Sequence, residues 1–143
     1  MAAGDFTLFG AAKEAIAKNT IDLDTNSFVA VLVTSSWTPA PTTEDTWSDI
    51  SANEVANGNG YTTGGAATTI TVNRSGGTVT VDASDVSWAA SSITAKYCVI
   101  CKKAGGSLTG TDLLLGYADL KTGGGSITTD NGDFDVLWNA SGI

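Results

Sequence analysis

"AATTITVNRSGGTVTVD", Ala66 to Asp82, is the stretch whose reading decides the fold. Ile70 and Val72 alternate with Thr69 and Thr71. After "SGG" the pattern resumes, with Val79 and Val81 between threonines. A period of two places the apolar residues on one face of an extended chain and the threonines on the other. Two such runs joined by a short glycine turn predict a β-hairpin.

The same signal recurs on both sides. "SFVAVLVT", Ser27 to Thr34, is a valine-rich apolar run of strand length. "VSWAA", "SITAKYCVICKK", "DLLLGYADL" and "DFDVLW" predict further strands, and "KKAGGSLTGT" and "KTGGGSITTDNG" connect them. In the last strand Phe134, Val136 and Trp138 share one face, with Asp133 and Asp135 on the other. The N-terminal stretch reads differently. Asp5 is a candidate N-cap, Phe9, Ala12 and Ile16 fall at helical spacing, and Asn19 is a terminator. "TWSDISANEV" has room for one helical turn. The expected fold is mainly β: an antiparallel β-sandwich or small barrel with one short N-terminal α-helix. It forms a single domain over residues 1–143, with the helix over 5–19 and the sandwich over 27–143.

Composition agrees. With 143 residues the chain is long enough to bury a core without disulfides or metal. Charged residues are only 15%, so surface polarity falls to Thr, Ser, Asn and the 17 Gly, which suit strands and turns. The net charge of −8 disfavours binding to nucleic acid or to an anionic membrane surface. No apolar run approaches the roughly 20 residues of a membrane helix, and the N-terminus lacks the pattern of a signal peptide. A protein made and kept soluble in a cytoplasm is expected.

Cys98 and Cys101 form a CxxC, but in a strand residues three apart face opposite ways, and the chain has no His and no further Cys to complete a zinc site. Two buried free thiols are expected. "NEVANGNGYTTGG", Asn53 to Gly65, is a glycine-rich loop without the lysine and following helix that a phosphate cradle needs. It reads as a tight connection into the next strand, with Tyr61 either pinned against the domain or presented to a partner. Asp22, Asp24 and Asn26 match the first ligand positions of a calcium loop, but Ser27 and Val33 stand where its Gly and Glu belong. The second acidic turn, Asp130 to Asp135, reads as a hairpin connection on Asn131-Gly132. Without histidine there is no Ser/His or Cys/His pair. No enzyme, no cofactor and no metal is expected.

Tryptophans are the remaining signal. Trp88 and Trp138 lie on strands and read as core. Trp37, beside Pro39 and Pro41, and Trp47 lie in loops, where large aromatics either plug the end of a sandwich or meet a partner. The expected partner-contact residues are Trp37, Pro39, Pro41, Trp47 and Tyr61.

Taken together, "KEAIAKNTIDLDTNSFVAVLVTSSWTP", "TWSDISANEVANGNGYTTGG", "DVSWAASSITAKYCVI" and "LLGYADL…FDVLWNASGI" resemble a family of short tailed-bacteriophage proteins. The resemblance runs from about Phe6 to Ile143 and is strongest from Trp47 to Gly65. The family is met mainly as uncharacterised or virion-structural proteins beside capsid and tail genes. The resemblance implies a virion structural part made in a bacterial host cytoplasm, foremost a capsid decoration (cement) protein on the outer surface of the head. Its partners would be the major capsid protein or other virion proteins, in a homo-oligomer or symmetric multi-copy assembly. A tail, baseplate or fibre-anchoring component is the first alternative, and a glycan-binding β-sandwich using loop tryptophans the second. The terminal segments "MAAGDF" and "NASGI" are expected to order on contact.

Overall fold

The structure, a computed structural model, describes residues 2–143. The chain is mainly β and its strand pairs are antiparallel. The strands are β1 (Thr7–Leu8), β2 (Ser27–Val33), β3 (Ala66–Thr68), β4 (Ile70–Ser75), β5 (Thr78–Ala83), β6 (Val86–Ser91), β7 (Thr94–Ala95), β8 (Tyr97–Lys103), β9 (Leu114–Asp119), β10 (Ile127–Thr128) and β11 (Gly132–Val136). The helices are α1 (Gly10–Ala17) and the single turn α2 (Trp47–Ile50), which runs into a 3-10 turn over Ser51–Asn53.

One sheet of five strands, ordered β1-β9-β8-β2-β3, forms the main layer. Its central strands β2 and β8 are buried on both faces, which is why they read as continuous apolar runs rather than alternating ones. A second, sandwich-like layer is a bent ribbon. In it β6 pairs with β11 and, past a kink, β7 pairs with β10. Val86 and Trp88 of β6 and Phe134 and Val136 of β11 are all buried in the common core. At the kink Ala90 adopts φ 47° and Asn131 φ 50°, and the Ala90 N–H donates to the Asp133 carboxylate. Asn131-Gly132 is therefore not a hairpin connection, as its dipeptide suggests. It turns the corner between two segments that each pair with a different strand.

The β4–β5 hairpin forms as its pattern predicts, with register running from Ile70↔Ala83 to Ser75↔Thr78. Gly76, at φ 59°, fits the first central position of a II′ turn. It stands apart as a sheet of its own.

The N-terminal helix is shorter than expected and starts later. Asp5 does not cap it; the N-cap is Phe9, without a side-chain hydrogen bond. Residues 7–8 are instead drawn into the main sheet, where Thr7 pairs with Tyr117 and Leu8 with Gly116. Phe9, Ala12 and Ala15 form the buried face, and Ile16 lies at its margin. Asn19 does end the helical segment, at φ 57°. The chain ends are also more tied down than the sequence suggests. The Ala3 N–H donates to Leu137, the Gly4 N–H to Asp119 and the Ile143 N–H to Val81. These segments are ordered within the chain itself. No helix among the described residues is long and apolar enough to cross a membrane.

Candidate functional site

The glycine block is built around the half of a sheet edge that has no strand partner. β3 pairs with β2 only from Phe28 to Ala30, so the edge of β2 from Val31 onward lacks a strand. Residues 53–61 take that place. The Val55 N–H donates to the Leu32 carbonyl at 2.9 Å and the Thr34 N–H to the Asn53 carbonyl at 2.9 Å. The remaining donor, the Leu32 N–H, is met by a side chain: the Tyr61 hydroxyl accepts it at 3.2 Å. That hydroxyl in turn donates to Glu54 Oε1 at 2.8 Å, and the same oxygen accepts the Gly64 N–H at 2.6 Å. Loop backbone and one phenol, itself held by a carboxylate, thus close the backbone groups that a neighbouring strand would have satisfied.

The glycines are what let the loop come this close. A Cβ on Gly65 would sit 2.1 Å from the Ala30 carbonyl oxygen, and one on Gly60 would sit 2.7 Å from Ser91 Cβ; both residues also hold positive φ. Tyr61 is only 2% exposed and its ring lies 5.7 Å from that of Trp88. Burial and the adjacent Glu54 carboxylate push its phenol well above the ordinary range, so it remains the protonated donor that the arrangement requires. Of the two readings of Tyr61, the structure selects the pinned one.

The tryptophan loops are plugs rather than exposed anchors. Trp37 is 4% exposed and Trp47 6%. The Trp37 indole packs with Phe9, Tyr97 and Tyr117 at centroid distances of 6.4, 5.0 and 5.3 Å. Its Nε1–H donates to Glu44 Oε1 at 2.8 Å, while Glu44 Oε2 accepts the Ala40 N–H at 2.9 Å, so one carboxylate folds the proline loop back on its own tryptophan. Trp47 is fixed by α2. Asp49 accepts the N–H groups of Asp45 and Thr46 at the helix start, and the Trp47 N–H donates to Asp112. The indole and phenol surfaces of Trp37, Trp47 and Tyr61 therefore cannot meet a partner as the loops stand. Pro39 and Pro41 are half-buried. Pro39 borders an open groove with Tyr97 and Tyr117, and the Pro41 carbonyl accepts the Gly10 N–H. The glycan reading loses the ring faces it was to use.

The acidic and sulfur groups are likewise committed to structure. Asp22 Oδ1 accepts the Asp24 and Thr25 N–H groups, and Asn26 Oδ1 accepts the Asp22 N–H, so the residues resembling a calcium loop close their own turn. Asp112, which sequence reasoning missed, is buried and accepts the Ala104 and Thr109 N–H groups, bracing the loop before β9. Cys98 and Cys101 are free, fully buried thiols, and desolvation raises both above the usual thiol range. A cleft of about 440 Å³ lies between the chain ends beside Phe6 and Trp138. Asp5 is the one ionisable side chain in its described lining. Glu54 and Glu44, each holding a buried aromatic donor, are the residues that matter most here. Their signal was indirect: a buried Tyr or Trp needs a polar partner, and each carboxylate stands seven residues from the ring it holds.

No family model, no curated protein and no solved structure gives a significant match to this chain.

Proposed function

We propose that this chain is a bacteriophage virion structural protein, a capsid decoration (cement) protein that binds neighbouring shell subunits on the outside of the head. The observation that carries the reading is how the glycine block is used. Its glycines, Tyr61 and Glu54 seal a sheet edge, so the most distinctive stretch of the chain serves rigidity. That stretch is also the strongest part of the resemblance to short tailed-phage proteins. A small acidic domain stiffened in this way suits a part used in many identical copies, where symmetry and multivalency supply the strength. Its charge suits an outer surface better than one facing packaged DNA.

The test is a mass-spectrometric copy number in purified particles, with heads separated from tails. Decoration requires the chain in the head fraction, in stoichiometric proportion to the shell protein. A small copy number confined to tails would move it to a tail, baseplate or fibre-anchoring role. Heads complete in every other protein but lacking this chain would overturn the proposal.

A further inference from the structure

We propose that the β4–β5 hairpin is a self-association surface, through which two copies of this chain pair edge to edge along β4 in a symmetric dimer. This carries the multi-copy reading above to a particular face, and it is tested in solution without any particle, so its failure and the failure of that reading are distinguishable.

The hairpin differs from every other strand pair in what it leaves uncovered. Along its apolar face Ile70 and Ala83 are buried at the base, but Val72 is 36% and Val79 59% exposed. Residues 71–79 are all exposed. A two-stranded hairpin is marginal on its own in water and gains from a further strand. The outer edge of β4 is available for one. The Val81 carbonyl points away from β4, because it accepts the Ile143 N–H. Antiparallel alternation then turns the backbone groups of Val72, the partner of Val81, outward from β4, and those of Arg74 likewise. β4 carries no proline and no carboxylate, and Arg74 is its one charged residue.

Charge identifies the occupant as a second copy. Arg74 is the chain's one arginine. It lies on the same face as Val72, and its bonding among the described residues is to the Gly76 carbonyl at 3.4 Å, not to a carboxylate. Beside Val72 lies an open groove lined by Ile16, Leu23, Asp22 and Asp24. The hairpin thus carries a cation at one position and a carboxylate-lined groove at the position two residues away on the same strand face. Antiparallel pairing about a two-fold axis at Asn73 sets Arg74 of each copy opposite Val72 of the other, over that copy's Asp22/Asp24 groove. The surface is complementary to itself, as an isologous interface must be. In a chain of net charge −8 this local match also offsets part of the general repulsion between copies.

The test is sedimentation of the purified chain over a concentration series into the millimolar range, with Arg74→Glu and Asp24→Arg. Both positions are exposed and Asp24 contributes no side-chain hydrogen bond to its turn, so both variants should unfold at the wild-type temperature. The wild type should be a dimer, each variant alone should be weakened at least tenfold, and an equimolar mixture of the two should dimerise again, since each mixed interface restores opposite charges at both contacts. A wild type that stays monomeric throughout would overturn the proposal. So would variants that dimerise as well as wild type, or a mixture that fails to re-form. Loss of head binding in Arg74→Glu with a monomeric wild type would give this face to another protein and would equally overturn it.

Discussion

Residues 53–65 and residues 70–83 adjoin in sequence and behave as opposites. The first stretch is irregular, glycine-rich and looks mobile on paper, yet it is the more firmly fixed. Tyr61 and Glu54 lock it to Leu32, and Gly60 and Gly65 are pressed against Ser91 and Ala30. The second has the most regular β pattern in the chain, yet it stands largely in solvent with two valines uncovered. Periodicity reports which residues share a face. It does not report what covers that face. Irregular backbone, by contrast, is tolerated next to a core only when each of its polar groups finds a partner, and here two side chains supply those that backbone pairing leaves open.

The two stretches should differ most at their glycines. Gly65→Ala should cost about 4 kcal/mol or more, because it adds a positive-φ penalty to a collision with the Ala30 carbonyl. Thermal unfolding measures this, and a change within experimental error would mean the loop is not seated as described. A smaller, pH-dependent effect should follow from the carboxylates that close the loops. Backbone N–H groups hold Asp49 below the ordinary carboxylate range, and the Thr25 side chain, followed by the Asp24 N–H, does the same for Asp22. Their folded pKa values lie below the unfolded ones. Their stabilisation is therefore complete above the unfolded carboxylate range, near pH 4, and is lost as pH falls through the folded values. Asp49→Asn should flatten the acid limb of a stability-against-pH curve; an unchanged limb would remove Asp49 from the account. Least of all should happen at the hairpin turn. No atom lies within 4 Å of a Cβ on Gly77 and its φ is not positive, so Gly77→Ala should stay within about 0.5 kcal/mol of wild type. A large loss there would mean the hairpin tip is as tightly held as the glycine block.

Much of the fold was legible in the sequence because its signals are local. The valine run of β2, the hairpin, the alternation of Phe134 and Val136, and the buried CxxC thiols all follow from period and residue type; Trp138 is buried as expected but lies past the end of β11. What escaped depends on distant partners. Thr7 and Leu8 read as part of a helix, but pairing with β9, more than a hundred residues away, overrides that preference. β10 is two residues long, too short to show any period. Trp37 sits in a proline loop whose sequence says nothing of where the indole turns; it turns to Tyr97 and Tyr117. Of the expected contact residues, only the two prolines keep surface to offer.

By its geometry the glycine block is a staple on the edge of β2 rather than a contact surface. Urea unfolding of Tyr61→Phe in the isolated chain tests it most directly, because the change removes one oxygen and leaves the ring on Trp88. Without the hydroxyl the Leu32 N–H and one Glu54 contact lose their partner in a buried setting. Stability should fall by about 1–3 kcal/mol with an unchanged m value. An unchanged midpoint, with the variant failing only to join assembled particles, would contradict the claim and make Tyr61 an interface residue.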